Sequence, residues 1–216
     1  MKNVNFRPWV GENYFSKGFK NKRVLVLGES HYCDEQLEGR RCYPICAKEK
    51  MREECFSQTE DVIGDYVYSY TGSRYEQTFL CFGRAVLGKE LSQEEREDFW
   101  QSIVFYNYIQ FCQDGARKPI KQEYWEISEL AFKEILEEYL PDYIIVWGNR
   151  LYEGLPDWNG EHAILKVSEN DKTDVWIYTI NGKRIPAMRV LHPSSPVGKN
   201  WMYWHAFYED FWQFRP

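Results

Sequence analysis

Glu29, Ser30 and His31 stand side by side in the stretch "VLVLGESHY", where the apolar run Val24 to Leu27 stops at Gly28. A carboxylate, a hydroxyl and an imidazole can between them attack, shuttle a proton or donate to a developing charge. The simplest pairing, Ser30 as nucleophile and His31 as its base, fails on local geometry. Adjacent residues on an extended backbone point to opposite faces. A nucleophile elbow also needs glycine two residues after the serine, and Tyr32 stands there. The triplet therefore needs partners from elsewhere in the chain.

Three other places offer them, each closing an apolar run: Asn107 in "SIVFYNYI", Trp147-Gly148 in "DYIIVWG", and His192-Pro193-Ser194-Ser195 after "AMRVL". Short β-branched and aromatic runs bounded by Gly or Pro predict strands at Arg23 to Gly28, Ser102 to Ile109, Asp142 to Gly148 and Ala187 to Pro193. Near-continuous apolar strands are typical of parallel sheets covered on both faces. Between them lie helical patterns. Ser92 and Glu95 make a capping-box signature. "EISELAFKEILEEYL" sets Ile127, Leu130, Ala131, Ile135 and Tyr139 on one stripe ahead of Pro141. Trp201, Trp204, Tyr208, Phe211 and Trp212 have helical spacing and read as core packing. Asn181-Gly182 predicts a two-residue hairpin turn. The alternation predicts one α/β domain over residues 1–216, a three-layer α/β/α sandwich around a central, mainly parallel four-stranded sheet. In such sheets the ligand site lies beyond the carboxyl ends of the strands, and three of these four ends supply unusual polar groups there.

The 216 residues are long enough for one well-buried core, and no apolar run is long enough to span a membrane. No early segment has the pattern of a signal peptide, so a cytoplasmic location is expected. The net charge of −6 argues against a nucleic-acid partner, but its distribution weakens the objection. Residues 1–32 carry six Lys/Arg against two Asp/Glu, and 181–216 carry five against two. A fold that brings the ends together could present a basic face on an acidic protein.

In order and approximate spacing, from about residue 23 to 200, the four strand ends resemble the uracil-DNA glycosylase superfamily. That superfamily has a Gly-led turn after the first strand, an Asn after the second, a third strand ending in Trp-Gly and a His-Pro-Ser loop after the fourth. The resemblance implies a base-excision enzyme that hydrolyses the N-glycosidic bond of uracil or a related damaged base in DNA. His192 would donate to the departing base, Asn107 would read the base edge, and Ser194 and Ser195 would bind backbone phosphate. Tyr32 keeps an aromatic that excludes bulkier bases in one branch, and Tyr43 lies near that branch's stacking aromatic. Two positions depart from the pattern. Ser30 stands where the best-known branch has a water-handling aspartate, and His31 where the family has proline. Glu29, His31, Asp34 and Glu35 are then the candidates for activating water, with Ser30 left on the wall of the base pocket. The missing aspartate motivates an alternative: an inactive glycosylase-fold protein that binds nucleic acid or a nucleotide.

Cys33, Cys42, Cys46 and Cys55 follow in a C-x8-C-x3-C-x8-C spacing on a charged loop. Four thiolates could hold a structural zinc or an iron–sulfur cluster, although the iron–sulfur branches of that superfamily use a different spacing. The expectations are free thiols, no required cofactor, DNA as partner, no membrane contact, and a monomer.

Overall fold

In the computed structural model the described residues are 1–32, 55–113, 115 and 118–216, with the backbone of 36–37 and 40–41. Among the described residues nine strands form: β1 (Trp9–Val10), β2 (Val24–Gly28), β3 (Gln36–Leu37), β4 (Arg40–Arg41), β5 (Ile103–Asn107), β6 (Tyr143–Trp147), β7 (Glu161–Lys166), β8 (Lys172–Ile180) and β9 (Lys183–Val190). The helices among the described residues are α1 (Gln58–Tyr68), α2 (Glu76–Leu87), α3 (Gln93–Trp100), α4 (Gln122–Tyr139), α5 (Asn149–Gly154) and α6 (Trp201–Phe211).

The four strands read from sequence are β2, β5, β6 and β9. They lie in the order β5-β2-β6-β9 and every pairing among them is parallel. The expectation of a four-stranded sheet is corrected to seven strands. β1 adds antiparallel to β5 at one edge, and β8 and β7 extend the other edge antiparallel to β9. β8 is the strand that the Asn181-Gly182 hairpin implies, whereas β1 and β7 escaped the sequence reading because β1 is two residues long and β7 has largely exposed side chains. Neither carries a buried apolar run. The hairpin does form: Ile180 pairs with Lys183, and Asn181 and Gly182 take φ of 51° and 78°, the pair of positive angles that a two-residue turn of this hand requires.

Every residue of β2, β5 and β6 is buried, because helices cover both sheet faces. Side chains alternate between two cores. Val24, Val26, Ile103, Phe105, Ile145 and Trp147 join α1, α2, α3 and α6, while Leu25, Leu27, Val104, Tyr106, Ile144 and Val146 join α4 and α5. The aromatic stripe of α6 packs into the first core as expected. On α4 the buried face is turned from the expected one. Tyr124, Phe132 and Leu136 are buried beside Ala131, Ile135 and Tyr139, whereas Ile127 and Leu130 are exposed. The helix begins four residues earlier than Glu126, and its bulkier aromatics take the core. The capping box of α3 is complete: Ser92 Oγ accepts from Glu95 N, and the Glu95 carboxylate accepts from Ser92 N.

Candidate active site at the carboxyl ends of the strands

The chain leaves β2 and β5 side by side, and the two segments stay zipped beyond the sheet. Tyr108 N donates to Gly28 O at 3.0 Å, Ile109 N to Glu29 O at 2.8 Å, and Gln113 N to His31 O at 2.8 Å. This pairing holds the Gly28–Tyr32 turn against Asn107. Gly28 is required by the close approach. A Cβ there would lie 2.3 Å from Asn107 Oδ1 and 2.8 Å from Phe105 Cζ. Gly28→Ala should therefore push the Asn107 amide out of place and destabilise the fold by about 1–3 kcal/mol. A denaturant midpoint equal to wild type would show that the amide was never held there.

His31 is buried and meets three partners. Its Nε2 lies 2.8 Å from Thr59 Oγ1 on α1 and 3.0 Å from Asn107 Nδ2, and its ring meets Phe6 edge-on with centroids 4.7 Å apart. Burial pushes its pKa down to about 3, so the ring is neutral at working pH. Between the ordinary 6.5 and about 3 the unfolded chain takes up a proton that the folded chain refuses. Stability from this group is thus complete above pH 6.5 and falls with acidification, by at most about 1.4 kcal/mol per pH unit. Urea melts of wild type and His31→Phe should diverge in slope across that window. Parallel pH dependences would contradict the buried neutral ring.

Glu29 points to the opposite side of the turn. Arg150, the second residue of α5, grips it with two nitrogens, Nε at 2.7 Å from Oε2 and Nη2 on Oε1. Arg150 Nη1 also donates to Lys118 O at 2.8 Å. Ser30 Oγ is buried and finds no hydrogen-bond partner in the protein. Tyr32 is 43% exposed, and its carbonyl accepts from Gln58 Nε2 at 3.4 Å.

The loop after β9 sets His192. Ser194 N donates to His192 Nδ1 at 3.2 Å, and Ser194 Oγ lies 2.8 Å from the same nitrogen. A backbone N–H can only donate, so Nδ1 accepts and the neutral ring carries its proton on Nε2. The His192 ring packs edge-on against Trp147, centroids 5.8 Å apart. Ser195 Oγ accepts from Gly198 N at 2.9 Å. Both serines named from sequence thus shape this turn, one orienting His192 and the other closing the loop. Gly148, at φ 99°, makes the sharp exit from β6 into α5.

These groups share one cleft of about 800 Å³. Glu29, Ser30, His31, Tyr32, Asn107, His192, Ser194 and Ser195 all line it, together with Phe79, Phe105 and Trp147. The Phe105 and Trp147 rings lie 5.1 Å apart and Phe79 5.8 Å from Phe105, giving the cleft an aromatic wall. Glu29 is the one carboxylate among the described lining residues. Tyr43, Asp34, Glu35, Cys33, Cys42 and Cys46 lie outside the described residues, so the four-cysteine site is not visible as a unit. Among the described residues no three His, Cys, Asp or Glu side chains are gathered as a metal site.

The chain matches no model of a known protein family, and no curated protein matches it. The site is therefore read from its own geometry. Thr59, Phe79, Phe105 and Arg150 were not found from sequence. Phe105 had a usable signal, since it lies two residues before Asn107 on the same strand and so shares its face. Thr59 and Arg150 had none. The expected basic face is partly neutralised: among the cations at the chain ends Arg7 pairs with Glu60, Lys20 with Glu209, Lys183 with Asp142, Arg184 with Glu161 and Arg189 with Asp174. Among the described residues no helix is long and apolar enough to cross a membrane.

Proposed function

We propose that the chain is a DNA glycosylase that hydrolyses the N-glycosidic bond of uracil or a related damaged base. The observation that carries this reading is the meeting of Asn107, His192 and the Gly28–Tyr32 turn, from three separate strand ends, in one aromatic-walled cleft. In this reading the four parallel strands are the working core of a three-layer fold, and the flanking antiparallel strands extend it. The target nucleotide leaves the stack and its base enters the cleft. The Asn107 amide bonds the base edge while Phe79, Phe105 and Trp147 supply flat apolar contact. As the C1′–N bond breaks, its electron pair stays with the base, and the Nε2–H of His192 stabilises the negative charge. Water then adds to the sugar cation at C1′, and Glu29 takes the proton that the water releases.

A second reading has a specific observation in its favour. Glu29 is held on two oxygens by Arg150, which suits a structural ion pair in a protein that binds a nucleotide without turning it over. One experiment separates the two. The protein is incubated with a uracil-containing oligonucleotide, single- and double-stranded, and alkali-labile breaks are measured. Breaks that vanish in His192→Ala support the enzyme. Retention of the oligonucleotide with no breaks in either form supports the binder.

A further inference from the structure

We propose that the cleft holds two successive nucleotides of single-stranded DNA, the target base inside and the base beside it stacked on Tyr75 at the rim. The inference rests on the glycosylase reading and names the form of its substrate. Its first support is a row of rings. Phe79 meets Phe105 and Trp147 with centroids 5.8 and 6.0 Å apart, and Tyr75 meets Phe79 edge-on at 6.4 Å. All four line the cleft. The first three are buried whereas Tyr75 is 48% exposed, so the row runs from the floor of the cleft out to solvent. The second support is size. A cleft of about 800 Å³ lies in the range that takes a drug-sized ligand, and one pyrimidine is far smaller.

The third support is the loop that carries Tyr75, which is pinned. Glu76, buried at the start of α2, accepts from the N–H and the hydroxyl of both Thr71 and Ser73 at 2.7 to 3.2 Å. Gln77 Nε2 donates to Tyr70 Oη at 2.8 Å, and Arg96 lies over the Tyr70 ring, 4.6 Å from its centroid. A ligand that meets Tyr75 therefore need not order this loop, and ordering is a main cost of binding. Arg74, next to Tyr75, is exposed and has no ion-pair partner among the described residues, so a cation adjoins the ring. When the target base turns into the cleft, its neighbour loses a stacking partner on one face. A fixed aromatic ring replaces that partner, and rings beside cations hold single strands without reading sequence. In a duplex the neighbour stays paired and stacked, and Tyr75 gains little.

The test measures Kd by fluorescence anisotropy in a His192→Ala background, so that no base is lost while binding is read. The probes are a single-stranded oligonucleotide with one uracil, and the same strand with a baseless tetrahydrofuran unit on one side of the uracil or the other. Removing the base on one side should weaken binding by about 10-fold. Tyr75→Ala should weaken binding of the intact strand by the same factor and leave the strand lacking that base unaffected. Tyr75→Phe should bind like the parent. Ser73→Ala combined with Thr71→Val loosens the loop and should lose part of the same factor. Annealing the complementary strand should abolish the Tyr75→Ala effect. Indifference to both neighbouring bases overturns the proposal, as does a Tyr75→Ala loss that persists without the base or in the duplex. A strand bound with this dependence but never broken by wild type refutes the glycosylase reading and keeps the platform. Breaks made without the dependence do the reverse, and binding of no oligonucleotide overturns both.

Discussion

Replacing His192 with alanine should lower kcat for uracil excision by about 10²–10³-fold while leaving KM nearly unchanged. The split follows from where the charge appears. In the ground state the base is neutral and gains little from one more donor. As the glycosidic bond stretches, negative charge develops on the base, and a preorganised N–H aimed at it gains strength only then. The preorganisation is visible in the turn: Ser194 N–H on Nδ1 fixes the tautomer that places the ring proton on Nε2, and Trp147 holds the ring plane. His192→Gln, which keeps a side-chain N–H, should recover part of the loss. An alanine variant with a wild-type kcat, or one whose whole defect lies in KM, would remove His192 from this role.

If Glu29 takes the proton of the attacking water, as proposed above, Glu29→Gln should lower kcat by about 10²-fold. The substitution keeps the size and one acceptor oxygen, so Arg150 retains a hydrogen-bonding partner on the turn. Arg150 is 44% exposed but the Glu29 side chain only 13%, so breaking the charge pair should move stability by about 1–2 kcal/mol. The two readouts separate roles. A large fall in kcat with little change in unfolding midpoint marks a group that meets the reacting water. A large fall in midpoint with kcat kept marks a structural pair and removes Glu29 from the chemistry. Single-turnover kinetics and a urea melt on the same preparation distinguish them.

Much of the frame was legible in advance. β2, β5, β6 and β9 announce themselves because a strand buried on both faces must be apolar at nearly every position. Gly28, Gly148 and Pro193 punctuate those runs where the backbone must turn. The Asn181-Gly182 hairpin and the Ser92 cap are local as well, since each depends on residues within a few positions. Since ligand sites of such sheets gather at the carboxyl ends, the same reading put Glu29, Asn107 and His192 near one another. All three line the cleft. The facing stripe of α4 was misjudged because periodicity alone does not choose among overlapping apolar faces; the bulk of Tyr124 and Phe132 decided it.

The sequence by itself therefore determined the parallel strands, the hairpin that folds back on them, and which end of the sheet carries the polar groups, because these depend on short-range pattern and turn chemistry. Tertiary structure alone decided which partner each polar group meets. The bond from His31 to Asn107 spans 76 residues, that from Arg150 to Glu29 spans 121, and that from His31 to Thr59 joins a turn to a helix. No local period encodes such pairs. They arise when packing brings distant segments together at the strand ends, and most polar atoms left away from water take a partner that the fold has put within reach.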